Sequence, residues 1–120
     1  MSTKILIVED DEVNVVIVEY LLQKEGFEVE KAINGEEAIR RVQDSDYDLI
    51  LMDIEMPIMD GLDATRAIRM LPRGRKVPII ALTAHSVEEK LKEIRKAGMN
   101  DYLLKPLDRD KTSKLVKKFL

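Results

Sequence analysis

The chain has 120 residues, 45% of them apolar and 36% charged, with a net charge of −3 and no cysteine. That length suits one globular domain over residues 1–120 that needs no disulfide or structural metal, and the lack of cysteine excludes thiolate catalysis and Cys-ligated zinc. A pI near 5.3 argues against direct binding to duplex nucleic acid.

The start, Met1-Ser2-Thr3-Lys4, runs into four apolar residues, too few for a signal peptide or a membrane span, so a cytoplasmic protein is expected. Those four, Ile5-Leu6-Ile7-Val8, read as a strand buried on both faces that ends at Glu9-Asp10-Asp11. From Glu12 the period changes to a helix: Val13, Val16, Ile17, Tyr20 and Leu21 form one face, Val15, Val18 and Leu22 a second stripe, and Gly26 ends it. Phe27 to Ala32 alternates as an edge strand does, and Asn34-Gly35 leads into a helix with Ala38, Ile39 and Val42 inward.

Leu49-Ile50-Leu51-Met52-Asp53 predicts the central strand, followed by a loop through Pro57 and Gly61. Leu62, Ala64, Ala67, Ile68 and Leu71 give a third helix, and Val77 to Leu82 a fourth strand with Pro78 near its start. Ser86 and Glu89 have capping-box spacing for a helix carrying Val87, Leu91, Ile94 and Ala97. Tyr102-Leu103-Leu104 is the fifth strand, and Asp108 caps a last helix with Leu115, Val116 and Phe119 inward. On this helix Lys111, Lys114, Lys117 and Lys118 have the spacing of a solvated face. Alternating strands and helices imply right-handed crossovers, hence a doubly wound five-stranded parallel sheet of the α/β class with helices on both faces.

Parallel strands share one carboxyl-end rim, which is where such sheets hold ligands. Here the rim collects Glu9, Asp10, Asp53, Thr83 and Lys105. Taken singly, these are turn formers, caps and a surface amine. Together, three carboxylates at one place repel one another unless a cation joins them, and hard oxygen donors suit Mg²⁺. With the repulsion offset, Asp53 can act as a nucleophile toward phosphorus, Lys105 can balance charge on the transferred oxygens, and Thr83 can donate to one of them. No Gly-rich nucleotide cradle is present, so the phosphoryl donor is expected to be a small acyl phosphate or another protein.

Val8-Glu9-Asp10, Met52-Asp53-Ile54-Glu55-Met56-Pro57, Met59-Asp60-Gly61, Thr83-Ala84 and Tyr102-Leu103-Leu104-Lys105-Pro106 together resemble the receiver domain of bacterial two-component response regulators. The resemblance implies a flavodoxin-like fold with strand order 2-1-3-4-5, and phosphorylation of Asp53 by a histidine kinase or a histidine phosphotransfer protein with Mg²⁺. It also implies metal ligation by Asp10, Asp53 and the Glu55 backbone carbonyl, with Glu9 reaching the metal through water. Thr83, Ala84 and Lys105 would hold the phosphoryl group, and Lys105 would precede a cis peptide to Pro106. Thr83 and Tyr102 would be the switch pair that reshapes the face of the fourth helix and fifth strand, and Glu55 and His85 would tune loss of the phosphoryl group.

Val15 and Val18 widen the apolar stripe of the first helix toward the rim, which predicts that they dock the phosphotransfer partner. The favoured function is a signalling switch, a monomer whose only catalysis is its own phosphotransfer and autodephosphorylation. The alternatives are an Asp-nucleophile metal-dependent phosphohydrolase, against which stand Glu55 in the place where Asp-x-Asp is usual and the lack of a substrate-capping insertion, and a degenerate receiver that is not phosphorylated, against which stands the presence of Asp10, Asp53, Thr83 and Lys105. The chain stops inside its last helix, which favours an excerpt of a longer regulator or hybrid kinase over a stand-alone receiver.

Overall fold

A computed structural model describes residues 3–84 and 87–120, without the side chains of Val87 and Glu89. The strands are β1 (Lys4–Val8), β2 (Glu28–Ala32), β3 (Leu49–Asp53), β4 (Ile79–Thr83) and β5 (Asp101–Leu104). Between and after them run α1 (Glu12–Lys24), α2 (Gly35–Asp44), α3 (Gly61–Arg69), α4 (Val87–Ala97) and α5 (Arg109–Phe119), with a short 3₁₀ turn at Pro72–Gly74. All neighbouring strands are parallel, in the order β2-β1-β3-β4-β5. This is the flavodoxin-like order expected, with β2 at an edge.

Four helices start where a short acceptor side chain meets their orphan backbone N–H groups. Asp11, Asn34, Asp60 and Asp108 are the N-caps of α1, α2, α3 and α5, each accepting from an N–H in the first turn. The Ser86–Glu89 capping box lies outside what is described. Gly26 has φ +93° just past α1, a conformation a side chain would strain.

Successive strand residues point to opposite faces, so the sheet divides two cores. Leu6, Val8, Ile50, Met52, Ile79 and Ala81 face a core closed by α2, α3 and α4. Ile5, Ile7, Leu49, Leu51, Ile80 and Leu82 face a core closed by α1 and α5. Burying each Leu, Ile, Val or Met side chain here contributes about 2 kcal/mol relative to exposure, and polar residues enter the central strands only at their carboxyl ends, Asp53 and Thr83.

Two expectations are corrected. The fourth strand begins at Ile79, two residues later than Val77, because Pro78 has no N–H for the ladder; its carbonyl still accepts from Ile50 N at 2.9 Å. The larger correction concerns α1. Val15, Val18 and Leu22 are the stripe that packs on the sheet, and Val18 is only 2% exposed, whereas Val13, Val16, Ile17 and Tyr20 face outward, Val16 at 61%. Val15 and Val18 are thus core residues of the α1–α5 side with little surface to offer a partner, although Val15, 8% exposed, still borders a cavity with Glu9, Asp10 and Val16. Among the described residues, no helix is long and apolar enough to cross a membrane.

Candidate functional site

The register that pairs Val8 with Met52 brings the next residue of each strand, Glu9 and Asp53, level at the sheet's carboxyl edge. Asp53 is the last residue of β3 and Glu9 follows β1; both are almost fully buried, while the adjacent Asp10 is exposed. Carboxylate oxygens of Glu9, Asp10 and Asp53 all lie within 4.8 Å of one another. Lys105, just past β5, sets its Nζ 3.1 Å from Asp53 Oδ1 and 3.1 Å from Glu9 Oε2. The sequence thus identified four residues that the fold does bring together.

The electrostatics follow from this crowding. Burial first, then hydrogen bonding and repulsion by Glu9, push the Asp53 carboxyl up to about 7 from 3.8, against the pull of Lys105. Burial works against the charge of Lys105, yet Glu9 and Asp53 outweigh it and leave its pKa raised. A single ammonium set against three carboxylates leaves net negative charge in a largely desolvated place. Hard oxygen donors so arranged, with one carboxylate open to solvent, fit a divalent cation such as Mg²⁺.

The other candidates take the following positions. Thr83 is buried at the end of β4, and its carbonyl accepts from Lys105 N at 2.7 Å, so the backbone of Lys105 is tied to that of Thr83 at the same rim. Ala84 is exposed beside it. Glu55 donates its backbone N–H to Asp53 Oδ1 at 3.2 Å, which fixes the carboxylate's rotation, and its own side chain points outward. Tyr102 is half-buried on β5 against the α2–α3–α4 core. The Lys105–Pro106 peptide is cis. His85 lies outside the described residues.

Three neighbours of the site had no part in the sequence reading. Asn14, in the first turn of α1, donates from Nδ2 to Glu9 Oε1 at 3.4 Å. Its position five residues after Glu9, beyond an Asp cap, was a signal that could have found it. Lys90 on α4 reaches Glu55 at 3.8 Å. Ile58 holds φ 75° with its side chain 80% exposed, an unusual conformation for a β-branched residue. Neither of these two carries a local sequence signal.

Known proteins resemble the chain along its length. Residues 5–117 match the model of the response regulator receiver domain. The sensor protein GacS of Pseudomonas syringae pv. syringae is 39% identical over 121 residues, covering 98% of this chain and 13% of that protein. The aerobic respiration control sensor protein ArcB of Escherichia coli (strain K12) is 40% identical over 119 residues, covering 98% of this chain and 15% of that protein. The chain therefore spans only a small part of the length of these curated relatives. Among solved structures, the receiver domain of a sensor histidine kinase from Pseudomonas aeruginosa PAO1, with a magnesium ion coordinated in its active site cleft, is 40% identical with a TM-score of 0.92 over 99% of this chain and 98% of that one. Chemotaxis protein CheY4 of Vibrio cholerae is 32% identical with a TM-score of 0.96 over the whole of both chains.

Proposed function

The chain belongs to the response regulator receiver domain family of two-component signalling, and from that premise we propose that it is a phosphoacceptor switch in which Asp53 takes a phosphoryl group from a phosphohistidine. The observation that carries the reading is the convergence of Lys105 on Asp53 and Glu9 beside Asp10. An Asp53 oxygen attacks phosphorus, the new O–P bond forms as the donor's N–P bond breaks, and the imidazole leaves with the shared electron pair. Mg²⁺, held by Asp10, Asp53 and the Glu55 carbonyl with Glu9 nearby, would supply charge neutralisation for the incoming phosphoryl oxygens. Lys105 is close enough to follow the transferred charge, and the Glu55 N–H that orients Asp53 keeps its other oxygen directed at the donor.

Thr83 and Ala84 line the same rim, and Thr83 donates its hydroxyl to a phosphoryl oxygen. The ring of Tyr102, packed but half-exposed, is free to respond on the β5 side, so the output is a changed surface there. Glu55, beside the site, and His85, two residues after Thr83 in the sequence, tune the lifetime of the acyl phosphate. Relatives that are histidine kinases support a histidine kinase or phosphotransfer protein as donor. Docking falls to the outward face of α1, Val13, Val16, Ile17 and Tyr20, which begins at the acidic rim and presents exposed apolar area.

Intact-protein mass after incubation with acetyl phosphate and Mg²⁺ tests this reading. One phosphoryl adduct per chain is expected, dependent on Mg²⁺ and absent in Asp53→Ala. Continued turnover of phosphate esters without a retained adduct would instead identify a phosphohydrolase.

A further inference from the structure

Asn14 is the third residue of α1. Asp11 Oδ1 accepts from its backbone N–H at 3.4 Å and from that of Val13 at 2.9 Å. At this place a helix is served best by a Glu or Gln that turns back to the cap's own N–H, and asparagine is a poorer helix former than either. The side chain of Asn14 takes another course: its Nδ2 leaves the helix and donates to Glu9 Oε1 at 3.4 Å. Helix formation alone does not account for this residue.

Glu9 is 3% exposed, so its charge depends on the donors that meet it. Among the described residues there are two. Lys105 Nζ reaches Oε1 at 3.2 Å and Oε2 at 3.1 Å, and Asn14 meets Oε1 alone. Lys105 is also shared, since the same Nζ lies 3.1 Å from Asp53 Oδ1. A phosphoryl group on Asp53 sets further acceptor oxygens there and draws the amine toward them. Each movement of Lys105 toward phosphate then removes a donor from a buried carboxylate, a cost that holds the amine back. The amide of Asn14 lowers that cost by remaining on Glu9. It does so without charge: an acid here would be a fourth carboxylate in the cluster, and a second cation would compete with the metal ion.

We propose that Asn14 is a positioning residue for the phosphotransfer step, its amide holding the Glu9 carboxylate while Lys105 turns from Glu9 to the phosphoryl oxygens. The proposal rests on Asp53 as phosphoacceptor. No proton or electron pair moves at Asn14; the bonds that form and break are those at phosphorus.

The test compares the parent chain with Asn14→Leu, which has a similar size, no donor and a better helix propensity, and with Asn14→Gln, whose longer side chain keeps the amide within reach. Adduct formation from acetyl phosphate at saturating Mg²⁺ is followed by intact mass. In Asn14→Leu the maximal rate should fall about tenfold, the lower end for a hydrogen bond to a charged group, with the apparent KM for acetyl phosphate unchanged, because the contact matters only as charge is transferred. Asn14→Gln should recover the rate to within about threefold. In a Glu9→Gln background, where no carboxylate needs the amide, Asn14→Leu should change the rate by less than about twofold. Tm should not fall, and the Mg²⁺ affinity measured by calorimetry without a phosphodonor should stay near the parent's, which a fold defect or a disturbed metal site would not allow. A full rate in Asn14→Leu, a loss that Asn14→Gln does not restore, or a fall in Mg²⁺ affinity that matches the fall in rate would overturn the proposal. If the parent chain itself gains no adduct, the phosphoacceptor reading fails and this proposal with it.

Discussion

A β-carbon on Gly61 would lie 2.2 Å from the carbonyl oxygen of Asp53. The first residue of α3 thus rests directly on the backbone of the residue that carries the site's chemistry, and Gly61 N also bonds Ile54 O at 2.8 Å. Any side chain must push the β3–α3 loop away. Gly61→Ala is expected to cost about 2 kcal/mol or more and to slow phosphorylation by acetyl phosphate. Thermal unfolding and adduct formation measure the two effects, and an unchanged Tm would refute the close approach.

The raised pKa of Asp53 has a sign that can be checked without a phosphoryl donor. Its carboxyl titrates near 4 when unfolded and at about 7 when folded, so between those values the folded chain binds the extra proton. Stability from this group is present below pH 4 and lost as pH rises through 7. Metal-free protein should therefore lose roughly 1–3 kcal/mol across that window, and Asp53→Asn should flatten the profile. Mg²⁺ should restore stability at pH 8 in the parent chain and do so much less in the variant. Denaturant unfolding at pH 4.5 and 8 decides it.

The two stripes of α1 separate core from exposed apolar surface. Val13→Lys with Val16→Lys should leave stability within about 0.5 kcal/mol while slowing transfer from a histidine phosphotransfer protein, because both side chains are exposed. Val18→Lys should destabilise by about 3 kcal/mol or more, since it buries a charge against Ile5 and Leu22 in an apolar core. If both changes slowed transfer alike with no difference in Tm, the assignment of the faces would be wrong.

That helix also marks what the sequence could and could not convey. Buried strands announce themselves by unbroken apolar runs, as Leu49–Met52 does, and parallel order then gathers Glu9, Asp10, Asp53 and Lys105 without further information. On α1, however, apolar residues occupy both stripes at helical spacing, and periodicity alone cannot say which one meets the sheet. The decision depends on how the helix is rolled onto Ile5, Ile7 and Leu51, which is tertiary. Lys90 and Ile58 were invisible for a similar reason: an ion pair between α4 and a loop, and a backbone angle, leave no local pattern.

Arg69 is a second such case and a strong prediction. Its guanidinium donates to the carbonyls of Gly74, Val77 and Gly98 and to Asn100 Oδ1, joining the end of α3 to the turns before β4 and β5. Arg69→Ala should cost about 2–4 kcal/mol by stranding part-buried carbonyls. Mg²⁺ affinity should stay unchanged, because the clasp lies at the opposite edge of the sheet from Asp53. Parallel unfolding and metal titrations would show whether the two are separable.

Ile58 should be improvable. A β-branched residue held at φ 75° and exposed to solvent keeps strain with little packing in return. Ile58→Gly is expected to raise stability by about 1 kcal/mol, the strain relief exceeding the entropy that glycine loses on folding. A fall in Tm would mean that the side chain packs where the structure leaves it open.

The division of the molecule by its sheet has a consequence for the order in which the chain can fold. The layer of α2, α3 and α4 is built from neighbours in sequence. The other layer joins α1 to α5, where Val15, Val18 and Val116 share one core and Glu25 is held by Ser113 and Lys117. A nascent chain emerging from the ribosome can therefore close the first layer and seat Val15, Val18 and Leu22 on the strands already made, while the α5 side of the second core is still open. Only when Arg109–Phe119 has been made does Val116 complete that core, so one half of this protein matures in a single late event and is the half at greater risk of premature association.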